Sequence, residues 1–173
     1  AFTILRKKYL WSAELYLAGA KESDIRDALR ERQIRVEEVD WQKIHLLGDL
    51  GSEKLTDYYN LCDVFCMPSY FEAYGLVFAE ALTYGLPCIG RDKFAMSEFI
   101  EDGCTGRLIS GEDAEKLALD LWEVLRDPKY REEVERRREW YLREYSWDKV
   151  AQRICSVMEK NERDKDQYRS AGV

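Results

Sequence analysis

Residues 64–90 constrain the fold more than any other part of the chain. Val64-Phe65-Cys66-Met67 is an apolar run of strand length, ended by Pro68 and Ser69. Gly75 then opens a largely apolar segment that runs to Gly85, and Pro87 stops any helical continuation. Cys88 and Ile89 begin a further apolar stretch. The unit reads as strand, loop, helix, strand, and such a crossover belongs in a parallel sheet.

Between Gly75 and Gly85 the only charged residue is Glu80, set among Val77, Phe78, Ala79, Ala81 and Leu82. A helix apolar on most faces is a buried helix. An ionised carboxylate inside one is costly unless it is hydrogen-bonded, so the pattern predicts a partner for Glu80. Glu72 sits just before the helix, with seven residues between the two carboxylates. A loop feeding a helix N-terminus after a strand is where α/β proteins hold phosphates. Carboxylates repel phosphate but accept hydrogen bonds from hydroxyls. Phosphate at the helix end and hydroxyls on two flanking glutamates together describe a nucleotide sugar.

Glu72-Ala73-Tyr74-Gly75-Leu76, followed by Glu80, resembles the E-x7-E signature of retaining nucleotide-sugar glycosyltransferases of the two-Rossmann (GT-B) fold, glycosyl transferases group 1. The flanks resemble that family too: Pro68-Ser69 before the motif, Gly85-Leu86-Pro87 after it, Asp102-Gly103 with Thr105-Gly106 downstream, and Tyr145-Ser146-Trp147 near the end. The resemblance implies the C-terminal, donor-binding half of such an enzyme. It implies that Glu72 contacts the transferred sugar as the catalytic residue, positioning and stabilising charge, and that Glu80 binds the ribose diol. Tyr74, Gly75 and Leu76 would offer backbone N–H groups to the pyrophosphate or sugar, and Asp49 and Leu50 would border the base. One departure stands out. Where many members have paired glycines before the glutamate of the next helix, this chain has Phe94-Ala95-Met96-Ser97-Glu98, which crowds the donor-sugar pocket.

Short strands alternating with helices indicate an α/β fold, a Rossmann-like parallel sheet with helices on both faces and a C-terminal helical extension. Strands are expected at Leu15–Gly19, Ile44–Gly48, 64–67, from Cys88, and at Gly106–Ile109. Helices are expected over residues 1–9, Glu22–Gln33, from a cap at Ser52, over the central segment, at Ala95–Glu101, Asp113–Arg126, Pro128–Glu144 and from Ser146 to about Glu159. Residues 1–160 read as one nucleotide-sugar-binding domain, and 161–173 as a polar tail expected to fray. The family's first strand of this half, and the basic residues after it that grip the donor phosphates, find no counterpart here. With the opening at Ala1, this is read as part of a longer enzyme whose N-terminal domain holds the acceptor.

The 173 residues carry a net charge of −7, which argues against nucleic acid as the main partner. No apolar run approaches a membrane span, no signal peptide is visible, and a cytoplasmic location is expected. Cys62, Cys66, Cys88, Cys104 and Cys155 read as thiols in a reducing compartment. No second pair or nearby histidine makes Cys62 and Cys66 a zinc site. No Asp-x-Asp implies a metal, and no cofactor is expected. Glutamates 132, 133, 135 and 139 interleave with Arg136-Arg137-Arg138, which favours a solvated face with local ion pairs over membrane-surface association. His45 alternates within a strand and reads as structural. The reading is a retaining hexosyltransferase. Its rival is a non-enzymic interaction or regulatory module of the same fold. A flavodoxin-like phosphoacceptor would need an aspartate at the end of a strand, whereas Asp63 stands at the beginning of one.

Overall fold

The computed structural model describes residues 1–35 and 39–170. The chain opens with α1 (Phe2–Lys8), β1 (Leu15–Ala18) and α2 (Glu22–Glu31), then a single 3₁₀ turn at Trp41–Lys43. β2 (Ile44–Gly48), α3 (Ser52–Leu61), β3 (Phe65–Cys66), α4 (Leu76–Thr83) and β4 (Cys88–Arg91) follow. α5 (Met96–Phe99), β5 (Gly106–Ile109), α6 (Ala114–Arg126), α7 (Lys129–Glu144) and α8 (Trp147–Ser170) complete it. The alternation expected from the sequence is present, and every ladder is parallel.

The strands do not join in one sheet. β1 pairs with β2, Leu15 opposite Ile44; β3, β4 and β5 form a second sheet, with Phe65 opposite Cys88 and Cys88 opposite Gly106. No ladder links the two among the described residues.

β4 alternates its side chains between two cores, as the period of a strand requires. Cys88 joins Phe78, Ala81 and Leu82 of α4, Met96 and Ile100 around α5, and Val134 and Tyr141 of α7. Ile89 points to the other face and packs with Ile109, Val124 and Tyr130. Helices therefore cover both faces of the larger sheet. A buried ionic cluster fastens α6 to β5: Asp120 is 1% exposed, accepts from Lys116 Nζ at 3.0 and 3.1 Å, and lies 3.4 Å from Arg107 of β5.

Several boundaries differ from the sequence reading, and those of α3 and α8 have a physical account. Gly51 occupies the cap position of α3, and Ser52 is the first helical residue, with no side-chain cap. Helix α8 continues through Ser170 where a frayed tail was expected from residue 161. A long run of charged residues without proline or glycine allows that continuation. At α8's start, Ser146 Oγ accepts from Lys149 N–H at 3.2 Å, as a cap should.

Gly106 is the tightest point of the larger sheet. A Cβ there would lie 1.8 Å from the Cys88 carbonyl oxygen and 2.9 Å from its nitrogen, all backbone that cannot move aside. Gly106→Ala is expected to destabilise the domain by at least about 3 kcal/mol or to prevent folding, at the upper end of overpacking effects. Urea denaturation followed by circular dichroism measures this. Asp113 accepts from Glu115 N–H and Lys116 N–H at 2.8 and 3.2 Å and caps α6. Asp113→Ala should cost only about 1 kcal/mol in the same assay.

Candidate functional site

The loop after β3 turns into α4 at Gly75, whose φ of +67° lies in the left-handed region. A Cβ there would also press on Phe78, Glu72 and Phe99 at 3.3–3.4 Å. Glycine is thus required twice at this position, by its dihedral and by its neighbours. The turn brings the half-buried Glu72 back onto the helix entrance, where Oε1 accepts the Gly75 N–H at 3.1 Å. The Gly75 N–H, expected to face a ligand, is therefore given to Glu72. The N–H groups of Leu76 and Val77 donate to no protein atom among the described residues. They are the open donors of the helix N-terminus.

Glu80 was expected to be enclosed. It is exposed instead. Leu76 and Glu80, four residues apart, share the one outward face of α4, while Phe78, Ala79, Ala81 and Leu82 turn inward. The expected partner is present: the Tyr59 hydroxyl donates to Glu80 Oε2 at 3.1 Å. Tyr59 comes from α3, is 7% exposed, and stacks on Tyr84 with ring centroids 5.2 Å apart. Burial, and then the Glu80 carboxylate beside it, push the Tyr59 phenol well above its ordinary pKa, so it remains a donor. One carboxylate oxygen is held, and Oε1 of Glu80 accepts no protein hydrogen bond among the described residues. Sequence reasoning demanded a partner for Glu80 but could not pick Tyr59, because the pairing depends on how α3 packs against α4.

Asp49 and Leu50 follow Gly48, which has φ of +59°. Asp49 is exposed and Leu50 half-buried. They lie at the end of β2, where α3 begins, and α3 carries Tyr59 across to Glu80. No hydrogen bond joins Asp49 or Leu50 to Glu72 or Glu80 among the described residues. Tyr74 is exposed. The loop from 68 to 71 is pinned by Arg91 at the end of β4: its Nε donates to the Pro68 carbonyl at 2.9 Å, its guanidinium lies 4.3 Å from the Tyr70 ring centroid, and it also reaches the Gly111 carbonyl. Nothing in the spacing of the sequence signals that clamp.

The remaining singled-out residues have structural partners. His45 Nε2 is 3.0 Å from Glu14, and its ring stacks on Tyr16. Lys43, His45 and Tyr16 together hold the Glu14 carboxyl down to about 2. Arg136 and Arg137 pair with Glu133, and Arg138 donates to the Thr83 carbonyl at 2.8 Å, closing the C-terminal end of α4. Asp63 pairs with Arg131. Burial pushes the Cys88 thiol up. Among the described residues no cluster of His, Cys, Asp or Glu is arranged to hold a metal ion, and no helix is long and apolar enough to cross a membrane.

The fold itself has known members. The chain is similar to the crystal structure of Anabaena Alr3699/HepE in complex with UDP, with a TM-score of 0.74 over 91% of this chain and 44% of that one, at 17% identity. It is also similar to the pneumococcal O-GlcNAc transferase GtfA in complex with UDP and GlcNAc, with a TM-score of 0.64 over 90% of this chain and 32% of that one, at 24% identity. At such identities these likenesses establish the fold. Among curated proteins, a D-inositol 3-phosphate glycosyltransferase of Kribbella flavida is 32% identical over 57% of this chain and 23% of its own length. An uncharacterized 41.2 kDa protein of the Klebsiella pneumoniae cps region is 37% identical over 47% of this chain and 23% of its own. The chain thus spans under a quarter of the length of these relatives. The family model described as glycosyl transferases group 1 matches residues 1–140. With that match over most of its length, the chain belongs to the glycosyl transferases group 1 family.

Proposed function

We propose that residues 1–160 are the nucleotide-sugar-binding part of a retaining hexosyltransferase whose acceptor is held by a separate N-terminal domain. The observation that carries this reading is Glu80. Its carboxylate is exposed beside an open helix N-terminus, fixed by Tyr59 through one oxygen and unoccupied at the other. A carboxylate so oriented can accept from two vicinal hydroxyls, as a ribose diol presents them. The Leu76 and Val77 N–H groups then face the diphosphate, whose charge the α4 dipole favours. Asp49 and Leu50 border the base. Tyr74 and Gly75 shape the entrance, and Glu72 lies next to the transferred sugar. With one Glu72 oxygen engaged at Gly75, the carboxylate is held still, which suits a positioning and electrostatic role. The solved neighbours in complex with UDP and with UDP-glucose support the same ligand class here.

Titration calorimetry of this chain with UDP, GDP and ADP tests the reading. One of them should bind, and no sugar transfer should occur without the acceptor half. Binding of none would leave the non-enzymic module of the same fold as the explanation.

Glu80→Gln keeps shape and one acceptor oxygen but loses charge. Each charge-assisted bond to the ribose is worth about 1.5–3 kcal/mol. Nucleoside diphosphate affinity should therefore fall by roughly 10- to 100-fold, at about 1.4 kcal/mol per decade. The 2′-deoxynucleotide should lose less on mutation, since one hydroxyl is already gone. A coupling energy near zero between the mutation and the missing 2′-hydroxyl would remove Glu80 from the ribose.

Glu72→Gln, rather than Glu72→Ala, separates chemistry from folding, because glutamine can still accept from the Gly75 N–H. In the full-length enzyme it should lower kcat/KM for transfer far more than it lowers nucleoside diphosphate affinity. Equal losses in both would place Glu72 on the nucleotide.

A further inference from the structure

Two exposed phenylalanines stand at the same sheet edge and have no part in the core. Phe71 is 70% exposed and Phe94 52% exposed, and their rings meet edge to face with centroids 5.2 Å apart. Phe71 directly precedes Glu72. Phe94 lies in the β4–α5 loop. Phe94 also has φ of +55°, a left-handed conformation that is a genuine outlier for a bulky side chain.

The surroundings impose that conformation. Ser97 Oγ donates to the Phe94 carbonyl at 3.1 Å, the Glu98 N–H to the Ala95 carbonyl at 3.0 Å, and the Asp92 N–H to the Ile109 carbonyl at 3.0 Å. Met96, two residues on, is completely buried and accepts the Arg91 N–H on its sulfur at 3.2 Å. A glycine would sit in this loop without strain. The fold gains little from an aromatic ring left half in solvent, so the strain is not offset by burial. Backbone strain kept at a ligand-facing edge marks a functional position.

The opposite side of the pair is equally fixed. Arg91 holds Pro68 and Tyr70 from the end of β4, which sets where Phe71 projects. The result is a rigid aromatic surface next to Glu72, open to solvent, with its ordering cost already met by the fold. Apolar C–H faces of pyranose rings are the complement of such a surface, because an aromatic face carries negative potential and attracts C–H edges. A nucleobase would fit less well, since Glu80 and the helix entrance already place the nucleotide on α4.

We propose that Phe71 and Phe94 form a stacking platform for a pyranose ring beside Glu72. This rests on the donor-site reading above. The ring belongs either to the donor sugar or to a sugar of the acceptor, and the two sources present the same C–H chemistry.

The test uses this chain, deuterated except for phenylalanine. The phenylalanine ring protons are saturated by NMR, and transfer to sugar protons is read in two arms. The first arm contains UDP-glucose, UDP-N-acetylglucosamine, GDP-mannose and ADP-glucose. The second contains the methyl glycosides of glucose, galactose, mannose and N-acetylglucosamine, each with the nucleoside diphosphate that binds in calorimetry. Saturation reaching the sugar in the first arm assigns the platform to the donor, and in the second arm alone to the acceptor. In either case Phe94→Gly and Phe71→Ala should abolish it and weaken the sugar's share of affinity by about 3- to 10-fold. Affinity for the bare nucleoside diphosphate should not change. Phe94→Gly should also leave the Tm unchanged or raise it, because the strain is relieved.

No saturation in either arm with a nucleotide bound overturns the platform and leaves the donor-site reading intact. Failure of every nucleotide to bind overturns the donor-site reading, and the methyl glycosides alone then decide the platform. A lower Tm in Phe94→Gly would make Phe94 a fold residue, and self-association relieved by Phe71→Ala would make the pair a protein contact; either result overturns the proposal.

Discussion

The burial of α4 is the contact on which the rest of the larger sheet depends. Phe78, Ala81 and Leu82 are fully enclosed, and they are met by Cys88 of β4, Met96 and Ile100 around α5, and Val134 and Tyr141 of α7. Fully burying a side chain such as Phe or Leu contributes about 1.5–3 kcal/mol. The two small residues Ala79 and Ala81 let the helix approach closely. Once three sides of α4 are buried, its N-terminus and its Leu76–Glu80 face have no freedom to move. Open donors and an exposed carboxylate are held rigid by a core that lies behind them.

The same rigidity extends sideways through polar contacts, each with a definite task. Arg138 takes up the Thr83 carbonyl at the far end of α4, while the Leu76 and Val77 N–H groups at the near end stay open among the described residues. Tyr59 reaches from α3 to orient Glu80, and its burial between Phe65 and Tyr84 keeps it there. Arg91 ties the loop before Glu72 to the end of β4. These are short, partly buried contacts with one preferred geometry, unlike the exposed ion pairs of α2 or α7, which contribute little to stability.

Charge is handled locally. The chain is acidic overall, yet the helix entrance presents backbone N–H groups, and the nearest carboxylate has one oxygen already engaged by Gly75. A diphosphate can approach such an entrance through directed hydrogen bonds. In the proposed reading the glutamates would then select for hydroxyl-bearing neighbours of the phosphate. N–H donors and carboxylates stand together because both are placed at the end of one buried helix.

Much of this was legible in the residues. Proline and glycine punctuation at Pro68, Gly75, Gly85 and Pro87 marked the strand, loop and helix, because those residues act through their own dihedrals. Apolar runs and helical spacing placed the strands and most helices to within a residue or two; α8, expected to end near Glu159, runs through Ser170. The need for a partner at Glu80 could be read from its apolar neighbours, since the cost of an unpaired carboxylate does not depend on the fold. Its exposure could not be read, because an eight-residue helix shows the same composition whether one face or none meets solvent. The identity of Tyr59, the Arg91 clamp, the split of the strands into two ladders and the left-handed Phe94 beside Phe71 were decided by tertiary structure alone. Each joins residues that local spacing does not connect, and only packing determines which side chains meet. The sequence by itself determined the order of elements and the chemistry available at the helix entrance; the packing of α3, α4 and β4 decided which of those groups face one another.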